Sequence, residues 1–167
     1  VLPETVWPYA YDERYLPQAP VVTNIREILR EKSSGAMIVT GAETIVYYPP
    51  EEQTETARQN ERGAFYDKFN STLGIDTTAC LPLHHKGRLV IGVESTPTWI
   101  FKALKFLVID LGGTVGQLGV GEPGPAFVHN GVSVGTPICY EGLYGNFYGG
   151  FVREGARALL ISSNDGW

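Results

Sequence analysis

The chain has few cysteines, few charged residues and no long apolar run, and each shortage excludes a class of protein. Of its 167 residues only Cys80 and Cys139 are cysteines, too few for a disulfide framework. No segment approaches the roughly 20 apolar residues that a membrane-spanning helix needs. Charged residues make up 19% and the net charge is −5, so the surface lacks the basic excess that attracts nucleic acid.

The composition that remains is typical of an ordered globular domain. Hydrophobic residues make up 43%, and the length suffices for one real core. The chain begins at Val1 and ends at Trp167, inside an expected loop. We therefore expect residues 1–167 to be a fragment, part of one domain of a longer protein.

Helical and strand patterns alternate, which predicts an α/β or α+β layered domain with a mixed sheet. A capping-box spacing from Asn24 to Glu27 predicts a helix that begins there. A second helix is expected over 143–155, followed by a buried strand over 158–162. The predicted strands are 37–40 and 44–48 around a turn at 41–43, then 65–75, and a hairpin around Asn130-Gly131.

Cys139 is the first candidate for chemistry. It follows the β-prone run 132–138 and precedes Tyr140, Glu141 and Gly142. This pattern is typical of a nucleophile at a sharp strand-to-helix turn, where the helix macrodipole favours the reactive thiolate. The alternative is a buried, inert cysteine, which is what we expect of Cys80.

The other candidates are weaker when taken singly. Glu4 and Lys86 lie at predicted strand ends, although such groups are more often solvated surface residues. His84 and His85 point to opposite faces of a strand and His129 lies in a turn, so we predict neither a metal nor another cofactor. The glycine-rich run 112–119 lacks the Gly-Lys-Ser/Thr of a phosphate loop and is expected to be a flexible loop over a site.

Four motifs stand in an order that is found in a known superfamily. They are Leu2-Pro3-Glu4-Thr5, His85-Lys86-Gly87-Arg88-Leu89-Val90, Ile138-Cys139-Tyr140-Glu141 and Ser163-Asn164-Asp165-Gly166-Trp167. The chain resembles the nitrilase (carbon–nitrogen hydrolase) superfamily. Within it, the runs 65–71, 92–94, 111–114, 138–145 and 164–167 make the chain most similar to the apolipoprotein N-acyltransferases, in the form of Bacteroidetes-like bacteria.

The resemblance implies an α-β-β-α sandwich, truncated at both ends, with a Glu-Lys-Cys triad. Glu4 would be the general base, Lys86 the cationic stabiliser and Cys139 the nucleophile. Glu94, Tyr140 and Glu141 match supporting positions of the active site. Lys68 also lies near a tyrosine, but the spacing to Glu94 favours Lys86 as the triad lysine. Ile91 stands where the family usually has proline.

The implied reaction moves a fatty acyl chain from a phospholipid donor, through a cysteine thioester, to the N-terminal diacylglyceryl-cysteine of an apolipoprotein. The resemblance places this site at the periplasmic face of the bacterial inner membrane, in a parent protein anchored by transmembrane helices. The 167 residues alone are expected to be inactive. Residues 99–107 are either a lipid-contacting element or an ordinary amphipathic helix.

Two other functions stay open at this point. A soluble amidase would use the same triad with water as the acyl acceptor and a small amide as the substrate. A catalytically dead domain would use the same scaffold to bind lipid or peptide.

Overall fold

Two β-sheets and two α-helices make up the part of the chain that the computed structural model describes, residues 1–33, 35–90, 118–122 and 124–164. The first sheet contains β1 (Tyr11–Asp12), β2 (Ile38–Tyr48), β3 (Arg58–Gln59), β4 (Phe65–Ile75) and β5 (Leu83–His85). The second contains β6 (Phe127–His129), β7 (Val132–Gly135) and β8 (Ala158–Leu159). The helices are α1 (Pro20–Lys32) and α2 (Gly145–Arg153), and short 3-10 helices span Glu13–Gln18, Pro50–Glu52 and Cys139–Leu143.

Both sheets mix parallel and antiparallel pairs, which confirms the predicted α/β layered class. In the first sheet the order is β1-β2-β4-β3, and β5 also pairs with β4. The long antiparallel pair of β2 with β4 runs from Ile38 opposite Ile75 to Tyr48 opposite Phe65. In the second sheet β7 lies between β6 and β8, antiparallel to the former and parallel to the latter.

The two faces of β4 serve different layers, because successive strand residues point to opposite sides. Leu73 and Ile75 pack toward α1 in the hydrophobic core. Thr72 faces the second sheet, where its hydroxyl donates to Thr136 Oγ1 at 3.0 Å. The strand predicted over 65–75 is confirmed with the same bounds. The buried members of this core cluster are Trp7, Leu16, Ala19, Val22, Ala42, Leu73 and Ile75.

The predicted hairpin is present in the second sheet. Asn130 and Gly131 join β6 to β7 with φ of 49° and 75°. Positive φ at both central residues is the signature of a type I′ turn, which suits the twist of the flanking strands. At the end of α2, Gly155 follows the C-cap residue Glu154 and adopts φ 91°, as a C′ glycine does.

Two predicted boundaries were wrong. Helix α1 begins at Pro20 rather than Asn24, because proline fits the first turn of a helix, where the missing N–H has no partner to lose. Residues 41–43 form no turn: β2 runs through them without a break. Gly41 is needed there because a side chain would collide with the backbone of Glu4.

The last strand and Cys80 also differ from expectation. In place of a buried strand over 158–162, the chain forms the two-residue β8 and a single bridge between Ile138 and Ser162. Ile161 is exposed, whereas Ser162 is buried. Cys80 is exposed, not buried, and both cysteines are free thiols. Within the described ranges, no helix has the length and apolar character to cross a membrane.

Candidate active site

Glu4 is held at the edge of β2 by backbone pairing of the residues before it. The N–H of Leu2 donates to Val39 O at 2.8 Å, and the N–H of Gly41 donates to Pro3 O at 3.1 Å. The Glu4 side chain is thereby carried into the interior, and the residue is only 6% exposed. Thr5 then adopts φ 47°, and the chain turns away.

Lys86 follows β5 directly and continues its pairing with β4. Its N–H donates to Asn70 O at 2.8 Å, and its carbonyl accepts from the N–H of Gly121 at 3.0 Å. The strand period of two places Lys86 and His84 on one face and His85 on the other, where His85 stacks on Phe69 at 4.0 Å. Lys86 is 1% exposed.

Glu4 and Lys86 meet inside the protein although 82 positions separate them in the sequence. Lys86 Nζ lies 3.5 Å from Glu4 Oε2, and Asn70 Nδ2 donates to the same oxygen at 3.1 Å. A charge this deeply buried is tolerated only when it is paired and hydrogen-bonded. Since both donors reach Oε2, neither of them occupies the other carboxylate oxygen, Oε1.

Cys139 stands at the sharp strand-to-helix turn that the sequence predicts. Ile138 is extended, and Cys139 then adopts φ 45° as the first residue of the 3-10 helix. A left-handed conformation costs a non-glycine residue free energy and is concentrated at functional sites. The N–H of Cys139 donates to Ser162 O at 2.8 Å. The residue is partly exposed, so the turn presents a free thiol at the surface of the core.

Hydrogen bonds connect the turn at Cys139 to the segments that carry the other two residues. Ser162 Oγ donates to Leu2 O at 2.9 Å, which joins the partner of Cys139 to the segment of Glu4. Glu141 accepts from the N–H of Gly87, the residue after Lys86, and from the N–H of Ile138. The structure thus brings Glu4 and Lys86 into contact and ties the Cys139 turn to both segments.

The fold that carries this arrangement is shown by comparison with solved structures. A carbon–nitrogen hydrolase from Helicobacter pylori G27 superposes with a TM-score of 0.50 and 11% identity, over 92% of this chain and 40% of that chain. The chain has the fold of the carbon–nitrogen hydrolases. It spans well under half the length of that protein. No family model matches the sequence, and no curated protein is similar to it in sequence.

More distant superpositions involve two other proteins. One is a double mutant of the amidase from Nesterenkonia sp. AN1 in complex with acrylamide, with a TM-score of 0.48 and 11% identity over 99% of this chain and 53% of that chain. The other is a glutamine-dependent NAD+ synthetase from Acinetobacter baumannii, with a TM-score of 0.45 and 13% identity over 99% of this chain and 26% of that chain.

Tyr140 lies in the short helix that begins at Cys139, and Tyr144 directly follows that helix. Their rings meet edge to face at 5.3 Å. A hydrogen bond with Tyr140, and then desolvation, raise the pKa of Tyr144. The guanidinium of Arg88 lies 5.9 Å from the ring of Tyr144 and 5.6 Å from that of Phe147. The rim near Cys139 therefore combines a cation with aromatic surface.

Three residues of the site were not singled out by sequence analysis as parts of it. Asn70 orients the Glu4 carboxylate, Ser162 fixes the turn at Cys139, and His84 contacts Glu141. The available signal for Asn70 was its place in a long predicted strand, on the face opposite Phe69. For Ser162 the sequence holds no signal, because its role depends on a bridge between distant segments.

Other candidate residues lie elsewhere or outside the described part. Lys68 pairs with Glu43 at 3.5 Å and not with Glu4. Each of the three histidines faces a carboxylate, and among the described residues no cluster of three metal-ligating side chains occurs. Glu94, the segment 99–107, most of the glycine-rich run 112–119 and the final residues 165–167 lie outside the described residues.

Proposed function

We propose that this chain carries the catalytic centre of an N-acyltransferase. It would move a fatty acyl chain from a phospholipid, through a thioester on Cys139, to the N-terminal diacylglyceryl-cysteine of an apolipoprotein. The buried contact between Glu4 and Lys86, joined by hydrogen bonds to the turn at Cys139, carries the proposal. An acid–base group, a cation and a thiol are the three functions that acyl transfer through sulfur requires.

In the first step Glu4 takes the proton of the Cys139 thiol, and the sulfur attacks the ester carbonyl of the phospholipid. Glu4 Oε1 suits this task because Asn70 and Lys86 both donate to Oε2. Negative charge then develops on the carbonyl oxygen. The Lys86 ammonium and the N–H of Tyr140, in the first turn of a helix where N–H groups have no intrahelical partner, would stabilise it.

The collapse of this intermediate breaks the ester bond, and Glu4 returns the proton to the departing lysophospholipid oxygen. The acyl chain is left on Cys139 as a thioester. In the second step the amine of the apolipoprotein attacks the thioester carbonyl, Glu4 accepts the amine proton, and the thiolate leaves and is reprotonated. A two-step, ping-pong course follows from this sequence of events.

The surface around the nucleophile favours a lipid donor over a small amide. Leu143, in the same short helix as Cys139, is 75% exposed. Arg88 lies over two aromatic rings, and no carboxylate forms an ion pair with it in the described part of the chain. An exposed apolar side chain and a cation that has no ion pair among the described residues suit a substrate with an acyl chain and an anionic phosphate. We further propose that the full-length protein is membrane-anchored, with this site facing the periplasm.

A nitrilase-type amidase is the second candidate, and the fold supports it. The carbon–nitrogen hydrolase fold was identified by comparison with a protein named for C–N bond hydrolysis. The same three residues would form a thioester with release of ammonia, and water would then hydrolyse it. The two candidates differ in the acyl donor and the acceptor, not in the nucleophile.

The test is to trap the acyl-enzyme in the full-length protein that contains this sequence. The purified protein in detergent is incubated with a phospholipid labelled in its acyl chain, and Cys139 is examined by mass spectrometry. We expect a labelled, hydroxylamine-sensitive adduct on Cys139, which a diacylglyceryl-cysteine peptide then discharges. Lys86→Met should slow its formation by about 10²–10³-fold, the usual loss when one oxyanion donor is removed.

Matched variants make the result specific. Cys80→Ser removes the other thiol, and Lys68→Met removes the lysine that pairs with Glu43; both should form the adduct at the wild-type rate. Ammonia release from small amides without lipid labelling would establish the amidase instead. A protein that forms no adduct with either donor would be a binding domain, and the acyltransferase proposal would be wrong.

A further inference from the structure

His84 is a buried histidine that the proposed chemistry does not use. It is 1% exposed, and its ring meets those of Phe151 at 5.1 Å and Phe147 at 6.0 Å. A Cβ at Gly124 would lie 2.5 Å from His84 Nδ1, so the backbone there closes off that side of the ring. The imidazole is therefore held in one position, with Nε2 directed at Glu141.

The Glu141 carboxylate is buried completely and accepts three hydrogen bonds. The donors are Ile138 N–H at 2.7 Å, Gly87 N–H and His84 Nε2 at 3.0 Å. Because a carboxylate only accepts, the His84 proton must be on Nε2. Gly87 follows Lys86 and Ile138 precedes Cys139, so this one carboxylate spans the gap between the lysine segment and the nucleophile turn.

We propose that His84 is a positioning residue that sets the distance between Lys86 and Cys139 through Glu141. The inference rests on the proposed function only for the identity of the transferred group. The contact between His84 and Glu141 does not depend on that function. Without the His84 donor, Glu141 keeps a buried charge with one hydrogen bond fewer. A buried carboxylate that loses a donor is left with an unsatisfied oxygen. Rotation of Glu141 toward another donor would then loosen its hold on Gly87 and Ile138.

The test measures the reactivity of Cys139 itself, so it does not depend on the acyl donor. In the full-length protein carrying Cys80→Ser, Cys139 is alkylated with iodoacetamide over a range of pH. His84→Phe keeps the aromatic bulk but removes the donor. We expect its alkylation rate at neutral pH to fall by about tenfold, which is the factor that one pKa unit in a thiol would give. His84→Gln places an amide N–H near the position of Nε2 and should restore the rate to within about twofold.

Two further variants separate positioning from general stability. His129→Phe removes a comparable contact, His129 Nδ1 to Asp76 Oδ2 at 3.1 Å, and should leave the alkylation profile unchanged. Glu141→Gln should slow alkylation as His84→Phe does, and the double variant should be no slower than either alone. If His84→Phe is folded by circular dichroism and alkylates with the wild-type profile, or if the two losses simply add, the proposal is wrong. Either outcome leaves the trapped thioester as a separate test of the acyltransferase.

Discussion

Gly41→Ala offers a sharp test of how the backbone positions Glu4. A Cβ at this position would lie 2.4 Å from Glu4 Cα and 2.5 Å from Pro3 O, whereas ordinary contact begins at 3.4 Å. The clash is with backbone, so the Glu4 segment must move by about 1 Å, and a displacement of that size in a catalytic group can cost about 10²-fold in rate. It would also break the 3.5 Å contact of Glu4 with Lys86.

The assay compares the rate of acyl-enzyme formation on Cys139 with the free energy of unfolding in urea. Overpacking of this kind costs about 1–3 kcal/mol, so the variant should remain folded while its rate falls about 10²-fold. Gly145→Ala is the matched control, because a Cβ there meets no atom within 4 Å and the rate should not change. A folded Gly41→Ala variant that acylates at the wild-type rate would refute the assignment of Glu4 as the base.

The remaining predictions concern ionisable groups away from the site. Partial burial raises the pKa of Asp76, but hydrogen bonds from Thr78 and His129 outweigh it, and the pKa is lowered from 3.8. Asp76→Asn should therefore reduce the free energy of unfolding by about 1–3 kcal/mol at neutral pH. The difference in free energy of unfolding between this variant and the wild type should vanish as the pH falls below 3.8 and through the lowered pKa of Asp76. Urea titrations at neutral pH and at a pH below that pKa would reveal the change. Burial and the charge of Asp67 raise the pKa of Tyr48 to about 12. Ionisation of Tyr48 should destabilise the fold between pH 10 and 12. In an ultraviolet titration of the tyrosines, Tyr48→Phe should remove the ionisation phase near pH 12.

Local patterns in the sequence predicted local structure well. The β4 strand was predicted with its observed bounds, because its alternation is long and sits between clear turn signals. The hairpin was predicted from Asn130-Gly131, since few residue pairs adopt two successive positive φ angles. Helix α2 began two residues later than expected, because Cys139–Leu143 form a separate 3-10 turn first.

The failures come from contacts with distant parts of the chain. Gly41 was interpreted as a turn residue, because the sequence does not distinguish a glycine needed for close approach of two backbone segments from a glycine needed for a turn. The exposure of Cys80 and of Ile161 depends on what packs against them, which no local pattern records. Likewise, spacing alone did not show that Glu4 and Lys86 touch; the family resemblance suggested their shared site, and Asn70, the residue that orients them, was not identified as part of it.

The bond from Ser162 Oγ to Leu2 O spans 160 positions of sequence. Loops of this length close late in folding, because the conformational entropy of the chain must be lost before the contact can offset that loss. During synthesis the first of these residues leaves the ribosome long before the second is made. The turn at Cys139 therefore gains its link to the segment of Glu4 only after Ser162 has been translated, and until then a nascent chain carries Cys139 without that restraint.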